Sequence, residues 1–172
     1  DRQVRVEHLL ETLEGRVGLN RIVARVRRSL EGLRVVCYYG CLLTRPPQIL
    51  QQPHPEYPRS MDRLVEAIGV QPLDWSYKTE CCGGSLGLSQ LPLSLELCER
   101  ILRNAREVGA EAVIVACPLC HANLDMRQSQ FTLAGGPMPI LYVTELLGLA
   151  FGLGASELGL ARHLTDPRPL LR

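Results

Sequence analysis

Lysine is nearly absent from this chain. Lys78 is the only one among 19 cationic residues, and arginine supplies the rest. That bias suits a GC-rich or heat-adapted source and bears on no function. Neither sign of charge is in excess: 19 cations and 18 acids leave a formal charge of +1, so nothing here attracts nucleic acid or a strongly acidic partner. Long apolar runs are missing as well. A membrane helix needs about 20 apolar residues, and the closest stretch, 138–155, is interrupted by Thr144, Glu145 and several glycines, so no span is expected. Aromatics make up 5% of the chain; the lone tryptophan, Trp75, is by default a core residue, with Tyr77 close by. No secretory signal is visible. The chain opens at Asp1, in amphipathic sequence, without a methionine, so it reads as a fragment of something longer. At 172 residues it is long enough for one domain with a substantial core.

Cysteine is what the chain has in quantity. It holds seven, an odd count that, with no secretory signal in view, favours a reducing, cytoplasmic setting and metal or redox chemistry over a disulfide framework. Five fall in three groups beside glycine or proline: Cys41, the adjacent Cys81 and Cys82, and Cys117 with Cys120 in the run Ala-Cys-Pro-Leu-Cys-His. The gaps are 39 residues between Cys41 and Cys81 and 34 between Cys82 and Cys117. A lone Cys-x-x-Cys is a weak signal. Five thiols in three groups, each closing an apolar run, point to convergence on a metal, on a cluster or on one another.

Periodicity gives the frame. Residues 3–14 and 18–30 carry apolar side chains at helical spacing and predict a helical lead-in or inter-domain segment over 1–32. The main domain is expected over 33–172. Residues 33–40 read as a buried strand, and 44–58, with prolines at 46, 47, 53, 55 and 58, as a long irregular loop. A helix over 59–68 and an extended run over 71–77 follow. Residues 93–108 read as a helix capped by Gly109, and 112–116 as the clearest strand. A helix over about 119–128, a strand at 139–143 and a helix from Thr144 complete the pattern; the tail after about 152 carries no readable feature. Strands alternating with helices predict an α/β fold, a three-layer domain with a small, mostly parallel sheet flanked by helices.

In such a sheet, ligands gather outside the carboxyl ends of the strands. Cys41 would follow the first strand, Cys81 and Cys82 the segment from 71, and Cys117 the third strand. Pro118 suits a first helical position, which places Cys117 and Cys120 at a helix N-terminus, where the dipole favours thiolate. Gly83 and Gly84 would let the chain turn tightly after the pair. Side chains of adjacent cysteines diverge, so one compact tetrahedral site cannot easily use both, whereas a multi-iron cluster can. Five thiolates also exceed the four of an ordinary cubane. Cys98, on the apolar face of a helix, and Cys37, mid-strand, are expected in the core. His121 could bond a sulfur or relay a proton, or could lie on a helix surface. His8, His54 and His163 are expected to be solvated or capping, and Lys78 to offset thiolate charge or to be exposed. Two other chemistries stay open on these residues: a structural zinc site on four of the five thiolates, and a metal-free Cys-Pro-x-Cys dithiol oxidoreductase using Cys117 and Cys120 alone.

The runs Tyr38-Tyr-Gly-Cys-Leu-Leu-Thr-Arg-Pro46, Cys81-Cys-Gly-Gly84 and Ala116-Cys-Pro-Leu-Cys-His-Ala-Asn-Leu-Asp125 resemble a cysteine-rich CCG domain. More closely, they resemble the C-terminal CCG domain of the B-type subunit of heterodisulfide reductase, over residues 4–150. The lead-in from Val4 to Glu11 resembles that family's inter-domain segment. The resemblance implies that Cys41, Cys81, Cys82, Cys117 and Cys120 hold a non-cubane [4Fe–4S] cluster. Zinc on the same thiolates is the expected substitute in air-exposed recombinant material. It implies a missing N-terminal CCG domain, a ferredoxin-like electron donor (the C-type subunit of such complexes) and a disulfide or thiol small molecule as substrate. Membrane association, if any, would come through partner subunits. CCG domains also accompany lactate, glycerol-phosphate and succinate oxidation, so the resemblance leaves the acceptor open. It also implies that the fragment alone lacks half of the reductase site.

Overall fold

The computed structural model describes residues 4, 6–50 and 54–171; Gln3, Arg5 and Pro53, which enter the expectations above, lie outside them. Four strands form one sheet: β1 Arg34–Tyr38, β2 Gln71–Pro72, β3 Ala112–Val115 and β4 Ile140–Tyr142, in the order β2-β1-β3-β4. Every pairing is parallel, with Val35 opposite Ala112 and Val113 opposite Ile140 setting the central register. The helices are α1 Leu9–Glu11, α2 Leu19–Val23, α3 Pro47–Leu50, α4 Ser60–Ala67, α5 Leu91–Glu107, α6 Pro118–Met126 and α7 Val143–Ala150.

Alternation along the strands builds two cores. Val35, Cys37 and Tyr39 face one side, where Met61, Leu64 and Val65 of α4 and Leu146 and Leu149 of α7 pack with Leu10 and Ile22 of the lead-in. Val36 and Tyr38 face the other, against Cys98, Ile101 and Leu102 of α5 and Leu124 of α6. Both faces are covered, as an all-parallel sheet requires. The expected three-layer α/β architecture is the one observed.

Strand β1 lies between β2 and β3, and the helices after β1 and β3 go to opposite faces. That is a topological switch point, where α/β sheets open a crevice at their carboxyl edge. Three expected elements differ in extent. The lead-in is not two long helices: α1 starts only at Leu9, capped by His8, whose Nδ1 accepts Leu10 N–H at 3.2 Å while Glu11 returns to His8 N–H at 3.2 Å. It runs on through Gly15 to Val17 as a π-helical turn. Helix α2 stops at Val23 because Arg27 and Arg28 turn their N–H groups to Ala150 O, at 2.8 and 3.0 Å, a tertiary contact that overrides helix propensity. The extended run from 71 narrows to two ladder residues, since Pro72 has no N–H to give; Leu73 N still reaches Val35 O at 2.7 Å.

Candidate metal centre

A buried ion pair ties two of the cysteine loops together. Lys78 O accepts the N–H groups of Tyr39 and Gly40 at 2.8 and 3.1 Å, which holds the segment leading to Cys81 against the exit of β1. Its ammonium is 1% exposed and lies 2.6 Å from Asp62 of α4, itself 1% exposed. Asp62 also accepts the Tyr39 hydroxyl at 2.7 Å, and that hydroxyl accepts Met61 N–H at 2.7 Å. Lys78 completes its set with Pro58 O at 3.3 Å and the Tyr57 ring, 4.5 Å from its centroid. Lys78 therefore neither faces the thiols nor is exposed. It is a structural cation; nearby in the chain, Trp75 ties the same segment to β1 by donating to Cys37 O at 3.0 Å.

On this frame the five thiols meet at the carboxyl edge. Cys41 Sγ lies 3.9 Å from Cys81 Sγ, and Cys82 Sγ lies 3.7 Å from Cys120 Sγ. The adjacent cysteines thus diverge, Cys81 toward the β1 exit and Cys82 toward α6. Cys117 is the N-cap residue of α6, with Pro118 in the first turn, and its thiol interacts with that of Cys120. None of the seven cysteines is in a disulfide. The Cys120 thiol donating to Cys82, with further help from Gly84 N–H, the Tyr38 hydroxyl and the Asn123 amide, lowers the Cys82 pKa to about 6 against the opposing effect of burial. Cys120 is pushed up by that same contact and by burial. Burial and the Cys81 charge also raise Cys41. Like charges on thiolates this close would repel, and a bound cation would relieve them.

Residues 35–125 match the cysteine-rich CCG domain family, a span that takes in all five thiols. The chain belongs to that family. It is 32% identical to the B-type subunit of the ferredoxin/F(420)H(2)-dependent CoB-CoM heterodisulfide reductase of Methanosarcina acetivorans, over 92% of this chain and 54% of that protein. It is 31% identical to the B-type subunit of the ferredoxin:CoB-CoM heterodisulfide reductase of Methanosarcina mazei, over 92% and 54%. It is 28% identical to the 8-methylmenaquinol:fumarate reductase membrane anchor subunit of Wolinella succinogenes, over 88% and 55%. The chain spans about half the length of these curated relatives. Among its described residues, no helix is long and apolar enough to cross a membrane.

Two glycines of this CCG domain sit where a Cβ would collide. Gly40 has φ +65°, and a Cβ there would stand 3.0 Å from Cys120 Sγ. Gly83, at φ +71°, would put one 3.0 Å from Ser94 Cα. Gly40→Ala is therefore expected to destabilise the chain by about 1–2 kcal/mol from the left-handed backbone alone. It should lower bound iron as well, which denaturant titration and iron analysis would report together. Unchanged stability and iron content would remove the close-approach argument.

The remaining residues divide cleanly. Cys37 is fully buried on the face opposite the thiol edge, and burial raises its pKa well above the thiol range. Cys98 is a core residue, as expected, but it also abuts the site: its sulfur lies 3.4 Å from Cys82 O and 3.1 Å from the Asn123 amide. That amide donates to Cys82 O at 2.8 Å, so Asn123, which the spacing argument passed over, positions Cys82. His163 differs from expectation. Its side chain is 4% exposed and bonds Glu145 at 2.9 Å, next to His121. His121 is half-buried, with its Nε2 shielded from solvent. Burial and His163 lower its pKa, opposed by Glu145 and Asp125, which favours a neutral ring.

Proposed function

We propose that this domain is an iron–sulfur redox module of a heterodisulfide reductase-like protein of the B-subunit type, with Cys41, Cys81, Cys82, Cys117 and Cys120 holding a non-cubane [4Fe–4S] cluster. The observation that carries the reading is the divergence of Cys81 and Cys82 onto two separate thiol neighbours. A single tetrahedral zinc closes on four ligands and leaves this fifth, outward-paired sulfur without a task. When bound, such a cluster supplies one-electron transfer, suited to reducing a disulfide or thiol substrate or passing electrons to another acceptor.

The chain's own residues set the conditions for it. Lys78 and Asp62 hold the loops of Cys41 and Cys81 in register. Gly40 leaves room beside Cys120 Sγ, and Gly83 lets the chain after the cysteine pair pack closely on Ser94 of α5. The amide of Asn123 fixes the carbonyl of Cys82, and the N-terminus of α6 favours negative charge at Cys117. Leu42 and Leu119, next in sequence to Cys41 and Cys120, are exposed and give an apolar rim. A second CCG domain, N-terminal to this one, would cover that rim, and a ferredoxin-like protein of the C-subunit type would deliver electrons. The setting is cytoplasmic, with any membrane association made through partner subunits.

The test is elemental. The chain purified without oxygen should carry about four iron and four acid-labile sulfide per polypeptide. About one zinc with no sulfide, persisting through cluster reconstitution, would replace this reading with a structural zinc site.

A further inference from the structure

We propose that His121, Glu145 and His163 form a second metal site, for one divalent first-row cation of the zinc type, separate from the five thiols. Three elements bring these residues together: α6, the first turn of α7, and the tail beyond residue 152. A ring nitrogen of each histidine and a carboxylate oxygen of Glu145 all lie within 4.8 Å of one another. Zinc bound at about 2.0–2.2 Å from each draws such atoms to roughly 3.3 Å apart, a closure within the reach of side-chain rotation.

The two rings meet edge to face, with centroids 4.9 Å apart and planes at 84°, so they do not stack. His121 Nε2 and His163 Nδ1 are buried and have no hydrogen-bond partner among the described residues. Buried polar atoms are almost always satisfied, and exceptions call for a cause such as an ion. Here two occur, one on each imidazole of the cluster. His163 Nε2 already stands 2.9 Å from Glu145 Oε1, while the other oxygen of Glu145 accepts Tyr142 N–H at 2.7 Å. One carboxylate oxygen is thus held by the α7 cap and the other faces the site.

The supporting contacts are of the kind that orient ligands. Asp125 of α6 accepts the N–H groups of Leu164 and Thr165 at 2.8 and 2.9 Å, which clamps the tail just after His163. Two imidazoles and one carboxylate suit Zn²⁺ and related divalent ions and leave a fourth position for water. A cation there would staple the tail to α6, the helix that carries Cys120 and is capped by Cys117.

Cobalt(II) is the probe, because thiolate ligation adds a strong near-ultraviolet charge-transfer band that nitrogen and oxygen ligands do not. The anaerobically purified chain should bind one Co²⁺ with visible bands and no thiolate band, and Zn²⁺ should displace it. His163→Ala should abolish that signal. Glu145→Gln, which keeps the Tyr142 cap and serves if His163→Ala does not fold, should weaken it at least about tenfold. Iron and sulfide per chain should not change in either variant. Cobalt bound only with the thiolate band, or equal affinity in a folded variant, would overturn the site and leave the three residues as a hydrogen-bonded proton relay. Iron and sulfide in the wild type decide the cluster reading independently.

Discussion

Lys78→Met is expected to cost about 3–5 kcal/mol, the range for removing one partner of a buried ion pair. The replacement is similar in length and apolar, so the loss comes from what remains. Asp62, 1% exposed, would keep a carboxylate with, among the described residues, the Tyr39 hydroxyl at 2.7 Å left to answer it. A domain of this size has a total stability of roughly 5–15 kcal/mol, so one substitution removes a large share. The damage also reaches the site. The carbonyl of Lys78 holds Tyr39 and Gly40, and a shift there separates Cys41 from Cys81. Denaturant titration should show the stability loss, and iron analysis a parallel fall in bound metal. The double variant Lys78→Met, Asp62→Leu should recover much of the stability, because no charge is then left buried. A single-variant loss under about 1 kcal/mol, within the usual surface ion-pair range, would show that the pair is not the lock described.

That lock marks where sequence reasoning stops. The strands, the order of elements and the gathering of five cysteines at one edge were legible, because strand period, glycine and proline punctuation, and Cys spacing are local patterns. The divergence of Cys81 and Cys82 was legible for the same reason: neighbours on an extended chain point apart. Lys78 was not. Its partner sits 16 residues upstream on α4, and nothing in the charge pattern separates Asp62 from an exposed acid. His163 was hidden in the same way, because its neighbours come from α6 and α7 and its tail carries no periodicity. The lead-in helices were overextended because amphipathic spacing continues past Val23, while the backbone there is taken by Ala150 O. Local patterns placed the thiols; long-range pairing of single polar side chains, which no window of sequence contains, holds them in place.

Cys82→Ala and Cys98→Ala should separate ligand from support, with the largest difference in iron content expected of any pair in this chain. The two sulfurs belong to one buried cluster of residues, and both are next to Asn123, so burial alone does not distinguish them. Their neighbours do. Cys82 Sγ stands 3.7 Å from Cys120 Sγ, and its pKa is brought down to about 6. Cys98 is raised by burial to about 12, and its contacts are the carbonyl oxygens of Cys82 and Asn123 and the Asn123 amide. Cys82 thus stands against another sulfur of the set, whereas Cys98 meets only backbone oxygens and an amide. Cys82→Ala should therefore lose most of its iron and sulfide even after anaerobic reconstitution. Cys98→Ala should keep both and lose about 1 kcal/mol, the cost of a small core truncation and a weak hydrogen bond. Cys41→Ser should behave like Cys82→Ala; a dithiol enzyme working through Cys117 and Cys120 alone would not notice it. Equal iron loss in Cys82→Ala and Cys98→Ala would mean that Cys98 is a ligand and that the sulfur set must be redrawn around α5.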